Sequence, residues 1–295
     1  RIPPLTQVWY IDIITITLAV FKLARKEKLK EPPRRGPKGY NLAERIAVLT
    51  YVILRNTSYF RALKEIKKTI IPRKIGLRNV PSQSSVWRWK NKLGPYVRLL
   101  IRLSFLKLCR GRMHKLLALV DGTGFKLGRA SIHYLRKTSK KAPYLLVTAI
   151  HAPEIDGIFD IVAAPNCNSE IKAFATYLFQ VLISAGIFWG LVGDKRYDAA
   201  WITAWCKAYG IITFIPARGG RLDPLDGPRL EADLRYKWLM RQKHFRALIE
   251  SAFSSMKSFF DGIRSRGDKT AEIDVLVLAM VYNVARCVAR GILEL

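Results

Sequence analysis

The sequence predicts an α/β protein in which a mixed sheet is covered by helices and preceded by a smaller, basic, all-helical region. Short apolar runs separated by turns are confined to the stretch after Lys115, helical periodicity fills the stretch before it, and positive charge is concentrated in front. Half of the 295 residues are hydrophobic, enough for one large core or two modest ones, which excludes a disordered tail.

The first apolar stretch, Tyr10 to Ala24 (YIDIITITLAVFKLA), contains Asp12 and Lys22 and is shorter than the roughly 20 residues a membrane span needs, so it reads as a buried helix. No membrane partner is expected. The chain opens on Arg1 rather than Met, which leaves a preceding leader open. Arg25 to Gly39 (RKEKLKEPPRRGPKG) reads as an exposed linker. From Asn41 to Lys68, Leu42, Ile46, Leu49, Val52 and Ile53, then Tyr59, Leu63 and Ile66, recur at helical spacing. The segment VPSQSSVWRWKNKL, Val80 to Leu93, offers a proline and three serines able to cap a helix. It then places Arg88, Lys90, Asn91 and Lys92 among Trp87 and Trp89. A capped, basic, Asn-bearing helix suits the major groove, where side chains read base edges and cations hold phosphates. The other reading is a basic surface helix whose tryptophans serve the core; the basicity of the whole module favours DNA.

After Lys115 the runs LLALV (116–120), YLLVTAI (144–150), IFDIVAA (158–164), FWGLV (188–192) and IITFIP (211–216) read as strands. PEIDG turns the second into the third as an antiparallel hairpin, and the helical patterns SEIKAFATYLFQVLISAG and DAAWITAWCKAYG separate the later strands. Residues 217–240 read as a loop-rich connection, followed by helices from about Arg241 to Phe260 and Lys269 to Ile292. This order matches the ribonuclease H-like arrangement. It gives two domains, 1–112 basic and helical with a helix-turn-helix-like DNA-binding character, and 113–295 carrying the sheet.

A formal charge of +29 calls for a polyanion, and its distribution says which part grips it. Residues 1–120 carry 27 Lys/Arg against 5 Asp/Glu; the remainder carries 24 against 17. Charge alone does not separate a DNA enzyme from a basic structural RNA-binding protein. Cys109, Cys167, Cys206 and Cys287 lie far apart, without metal-ligand spacing or a disulfide framework, which fits a reducing cytosol. His114, His133, His151 and His244 likewise lack ligand spacing.

The acids carry the chemistry. Asp121 follows LLALV within VDGTGF, beside a glycine turn, and Asp194 follows FWGLV within GDKRYDA. If those strands are neighbours, the two carboxylates converge at one end of the sheet; singly, each suits a turn or a helix cap. Asp198 reads as the cap of the next helix. In RALIESAFSSMK, Arg246, Glu250 and Lys257 fall within roughly 40° of one another around a helix, forming a polar stripe. Phe245, Leu248, Ile249, Ala252, Phe253 and Met256 gather beside it as the packing face. The other reading of the stripe is an Arg/Glu pair on a solvated face. Asp121, Asp194 and Glu250 at one site would suit Mg²⁺ or Mn²⁺, and two ions about 4 Å apart would support an in-line displacement at phosphorus. Arg246 and Lys257 would hold phosphates or balance the acids.

At these residues the chain resembles the DDE transposases of prokaryotic insertion sequences, especially families four and five, from roughly Gly36 to the C-terminus. VDGTGF is similar to the family's first-Asp strand, GDKRYDA to its second-Asp motif, IPAR to the following strand, and RALIESAFSSMK to its Arg/Glu/Lys helix. VYNVAR, with Tyr282 and Asn283, resembles the closing helix, while RRGPKGY and VPSQSSVWR resemble the DNA-binding region. Where the family often has a tyrosine before the arginine this chain has Lys243, and Tyr236 lies further upstream. The resemblance implies a ribonuclease H-like catalytic domain, with Asp121, Asp194 and Glu250 as catalytic metal ligands. It further implies binding to terminal inverted repeats and target DNA as a homodimer, cleavage and strand transfer, and a cytoplasmic, nucleoid-associated location. A metal-dependent nuclease of the same fold and a non-catalytic, transposase-derived DNA-binding protein are the alternatives.

Overall fold

A computed structural model of the chain describes residues 11–29, 39–109, 116–127, 144–163, 170–218, 227–242, 245–258, 262–265 and 268–294, with the side chains of 241, 242, 245, 246 and 268 excepted. Most of the proline-rich linker, Cys167, His114, His133, His244, Lys243 and the side chain of Arg246 therefore lie outside the described residues. In chain order the elements are α1 (Ile13–Lys26), α2 (Leu42–Leu54), α3 (Tyr59–Ile66), α4 (Ile71–Ile75), α5 (Gln83–Cys109), β1 (Leu116–Lys126), β2 (Tyr144–Ala152) and β3 (Gly157–Ala163). Next comes α6, α-helical over Glu170–Ala173 and Phe179–Ala185 with a π-helical turn Phe174–Leu178 between. β4 (Phe188–Val192), α7 (Ala200–Ala208), β5 (Ile212–Phe214), α8 (Gly227–Gln242), α9 (Phe245–Ser258) and α10 (Asp268–Ala289) complete the chain.

These elements form two compact units: α1 to α5 group with the described residues from Met256 onward, and the sheet groups with the helices up to Ser255. The C-terminal helix thus clusters with the N-terminal ones. Among the described residues no helix is long and apolar enough to cross a membrane.

In the helical unit the local signals act where they stand. Asp12 caps α1 by accepting the Thr15 N–H at 2.9 Å. Asn41 and Glu44 close a reciprocal capping box on α2. That helix is apolar all round and is buried along its whole length except at Glu44. Ser82 accepts the Ser85 N–H at 3.3 Å and starts α5, which continues well past Leu93 to Cys109. Near its middle stands Pro95, preceded by Gly94, where a Cβ would meet the Ile273 side chain of α10 at 2.7 Å. The side-chain amide of Asn283 in α10 donates to the Ile101 carbonyl of α5 at 3.1 Å.

The other unit is α/β, a five-stranded mixed sheet flanked by helices, in the order β3-β2-β1-β4-β5. β2 and β3 form the expected antiparallel hairpin, turning at Asp156 with φ 46, while β1, β4 and β5 run parallel. Three readings need correction. The glycines of VDGTGF do not end β1, which runs through them to Lys126. The loop-rich connection contains α8, sixteen residues long, whose weakly amphipathic sequence hid it. In the helix expected from Arg241, Arg241 and Gln242 are helical at the end of α8 and α9 is described from Phe245, residues 243–244 lying outside the described residues; the packing face is narrower than expected, with Ile249, Ala252, Phe253 and Met256 buried but Leu248 exposed.

Candidate functional site

Parallel pairing of β1 with β4 sets Leu119 opposite Val192. Asp121 and Asp194 each follow two residues later, so the register carries both acids to the same end of the sheet. The strand order reverses between β1 and β4, and open α/β sheets form their ligand crevices beyond the carboxyl ends of strands at such a point. A cleft lies there, lined by Leu119, Val120, Asp121, Val192, Gly193 and Asp194, with Tyr236 and Met240 from α8 and Ile249 from α9. Asp121 Oδ1 accepts the Gly122 N–H and Asp194 Oδ1 accepts the Arg196 N–H, each at 2.8 Å, the latter capping a 3₁₀ turn Lys195–Tyr197.

A third acid stands beside them that the sequence reading missed. Glu170 opens α6 and lies against Gly122, where a Cβ would come within 2.4 Å of its Cγ and Cδ. Its Oε1 accepts from Arg196 Nη1 at 2.6 Å, and the Arg196 Nε lies 3.9 Å from Asp194 Oδ2. Among the described residues, Oε2 of Glu170 is buried without a hydrogen-bond partner, and so is the hydroxyl of Tyr197. Burial pushes the Glu170 carboxyl above the ordinary range; Arg196 opposes this, and the charges of Asp121 and Asp194 add to it. Burial likewise raises the Tyr197 hydroxyl well above its usual range, reinforced by Glu170, Asp121 and Asp194, so it stays protonated and able to donate. Beneath them Phe174, from the π-helical turn, packs edge-on against Tyr197 with ring centroids 5.6 Å apart. The available signal for Glu170 was an acid at a helix start, which ordinarily means only a favourable end charge.

Glu250 stands one residue past the cleft-lining Ile249 but is itself exposed and outside that lining. Lys257 is exposed seven residues further along α9. The backbone of Arg246 lies in the first turn of α9. Among the described residues no group of three His, Cys, Asp or Glu side chains is close enough to hold a metal ion. Asp198 does not cap α7, whose N-cap is Ala199 without a side-chain bond. It is buried instead, accepting Arg229 Nε and Nη2 at 2.9 Å each and the Arg218 N–H at 2.8 Å, and so fastens α8 beside the site.

In the helical unit the outer face of α5 presents Gln83, Ser84, Trp87, Arg88, Asn91 and Lys92, all exposed, while Val86, Lys90, Leu93 and Val97 turn inward. Arg88 Nε donates to the Ser84 carbonyl at 3.2 Å, and Asn91 Nδ2 to that of Trp87 at 2.9 Å. Trp87 is exposed; Trp89 packs edge-on against Tyr40 with centroids 5.1 Å apart. Lys90 is the exception among the expected DNA contacts. It is buried and ion-paired to Asp274, with Ser265 bonded to both, because its position faces α10 rather than solvent. Exposed cations at Arg61, Lys64, Lys67, Lys68, Arg73, Lys74 and Arg78 extend the surface over α3 and α4. No family model matches the chain, and neither a curated protein nor a solved structure matches it.

Proposed function

We propose that the chain is a DNA transposase that binds terminal inverted repeats and carries out phosphodiester cleavage and strand transfer, on a ribonuclease H-like domain behind a helix-turn-helix-like DNA-binding region. The observation that carries this is the placement of Asp121 and Asp194 at equivalent positions just past the paired stretch of the adjacent parallel strands β1 and β4, at the reversal of strand order. Their donors are hard oxygens, and the orphaned buried Oε2 of Glu170 beside them suits Mg²⁺ or Mn²⁺. Bound there, two such ions would activate the attacking hydroxyl and stabilise the leaving oxygen. Asp121 and Asp194 would hold them, with Glu250 as the third ligand once DNA engages α9. Arg246 and Lys257 would hold phosphates along that helix. The exposed α5 face with Arg88, Asn91 and Lys92 would read and grip double-stranded DNA, and pairing of two ends calls for a homodimer in the cytoplasm.

The test uses DNA carrying the sequences that flank the coding region. With Mg²⁺, the unaltered protein is expected to cleave these ends and to join pre-cleaved ends to a target. Alanine at Asp121, Asp194 or Glu250 is expected to abolish both reactions while sparing end binding. Undiminished cleavage by Asp121→Ala or Asp194→Ala would overturn the assignment. One observation favours a second reading, a metal-dependent nuclease: Arg196 bonds Glu170 and lies beside Asp194, which makes Glu170 a neighbour of the Asp121–Asp194 pair, whereas Glu250 is exposed. Cleavage without joining of pre-cleaved ends, unaffected by Glu250→Ala, would select it.

A further inference from the structure

The Glu170–Arg196 pair sits at the carboxylate site, yet neither residue has a part in the reaction as proposed. Glu170 is nine-tenths buried, one of its oxygens is held by Arg196, and the other is buried without a partner among the described residues. A buried carboxylate oxygen left unsatisfied is costly, and native structures tolerate one chiefly where a ligand or ion completes it. The Tyr197 hydroxyl, fully buried and equally unpartnered, lies within the electrostatic reach of Glu170, Asp121 and Asp194, so two independent polar groups lack a partner at this place. Arg196, by contrast, leaves most of its side chain in solvent, 62% exposed; that side chain touches the site through its guanidinium, which spans Glu170 and Asp194, while its backbone N–H caps Asp194 independently. An arginine so placed can leave for solvent at little desolvation cost, whereas the carboxylates cannot follow it.

We propose that Glu170 is a further carboxylate of the Asp121–Asp194 site and that Arg196 is its internal counter-ion, a displaceable cation that competes with a divalent ion for these acids. This rests on the metal chemistry proposed for Asp121 and Asp194. Glu170 then adds buried negative charge beside Asp121 and Asp194, whereas Glu250 is exposed. Arg196 offsets the mutual repulsion of the three acids, then swings out and becomes available to a phosphate.

The test is Mn²⁺ binding to the full-length protein, followed by the loss of free-ion paramagnetic resonance signal. Arg196→Ala is expected to bind Mn²⁺ about tenfold more tightly, and Glu170→Gln about tenfold more weakly, at the lower end of what supporting residues contribute to metal affinity. Lys195→Ala, which removes an equal charge from the exposed neighbouring residue, is expected to change affinity by less than Arg196→Ala. Because Arg196 is largely exposed, its variant tests the idea even if Glu170→Gln does not fold. If Asp121→Asn and Asp194→Asn weaken Mn²⁺ binding but Arg196→Ala leaves it unchanged or weaker, the competition is refuted and the metal site stands. A gain for Lys195→Ala equal to that for Arg196→Ala refutes it too, since the effect would be diffuse charge. If no variant and no unaltered protein binds Mn²⁺, both readings fall. Binding that emerges only in Arg196→Ala supports the proposal.

Discussion

Lys90 separates a DNA-contact reading of α5 from a structural one. Its side chain is 2% exposed and its partner Asp274 7% exposed, so truncation leaves a carboxylate buried without its cation, although Ser265 still bonds it. Breaking a buried ion pair by removing one partner costs about 3–5 kcal/mol, and the surviving Ser265 bond argues for the lower end. At roughly 2–4 °C per kcal/mol for a protein of this size, Lys90→Ala is expected to lower the melting temperature by about 6–12 °C. Removing both charges with residues of similar shape, Lys90→Met with Asp274→Leu, is expected to restore most of the loss, because neither partner then stays buried and unpaired. Thermal unfolding by circular dichroism reads stability, and fluorescence anisotropy with a DNA duplex reads affinity. The reasoning fails if Lys90→Ala keeps its melting temperature while losing DNA affinity, or if the double variant is as unstable as the single one.

Arg88, two residues away and exposed, is expected to behave in the opposite way: Arg88→Ala leaves thermal stability unchanged but weakens DNA binding and lowers the salt slope by about one. An unchanged slope in anisotropy titrations across several salt concentrations would remove it from the phosphate contacts. Gly122→Ala places a methyl group 2.4 Å from Glu170 Cγ and Cδ, within a buried contact, and is expected to cost about 1–3 kcal/mol as overpacking and to break the Arg196 pair. Stability equal to the unaltered protein would show that Glu170 is free to yield. Asp233 binds the Ala217 N–H at 2.8 Å and Lys237 Nζ at 2.7 Å; burial pushes its pKa up, but these bonds outweigh it and hold the carboxyl below its ordinary 3.8. A depressed acid contributes stability above its unfolded value and loses it as pH falls through the folded one. The melting-temperature deficit of Asp233→Asn is therefore expected to be full near neutrality and to shrink below about pH 4, and a deficit constant with pH would contradict this.

The sheet was legible because apolar runs and a hairpin turn are local signals, and parallel neighbours follow from the helical crossovers between strands. That put Asp121 and Asp194 together, since residues just past the paired stretch inherit the register of their strands. Glu170 escaped because its approach depends on the absence of a side chain at Gly122, a contact between residues far apart in sequence. Asp198 has the composition of a helix cap and the surroundings of a core ion pair, and only the course of α8 decides between them. Lys90 shows the same limit on a helix: a lysine among basic neighbours looks solvated until α10, nearly two hundred residues later, supplies an acid at its inward position. α8 itself was hidden because it lacks a strong apolar stripe, the property by which helices are recognised in sequence.

One detail of α5 bears on how its outer face would meet a duplex. Pro95 has no N–H to return to the carbonyl of Asn91, so the helix is missing a rung one turn after the last exposed cation, Lys92. At the same level Gly94 lies against Ile273, whose Cδ1 would stand 2.7 Å from an added Cβ and would have to shift. A lever with a weakened section directly over its bearing has a fulcrum. The missing rung therefore falls between the exposed face that would meet a duplex and the tie of Ile101 to Asn283.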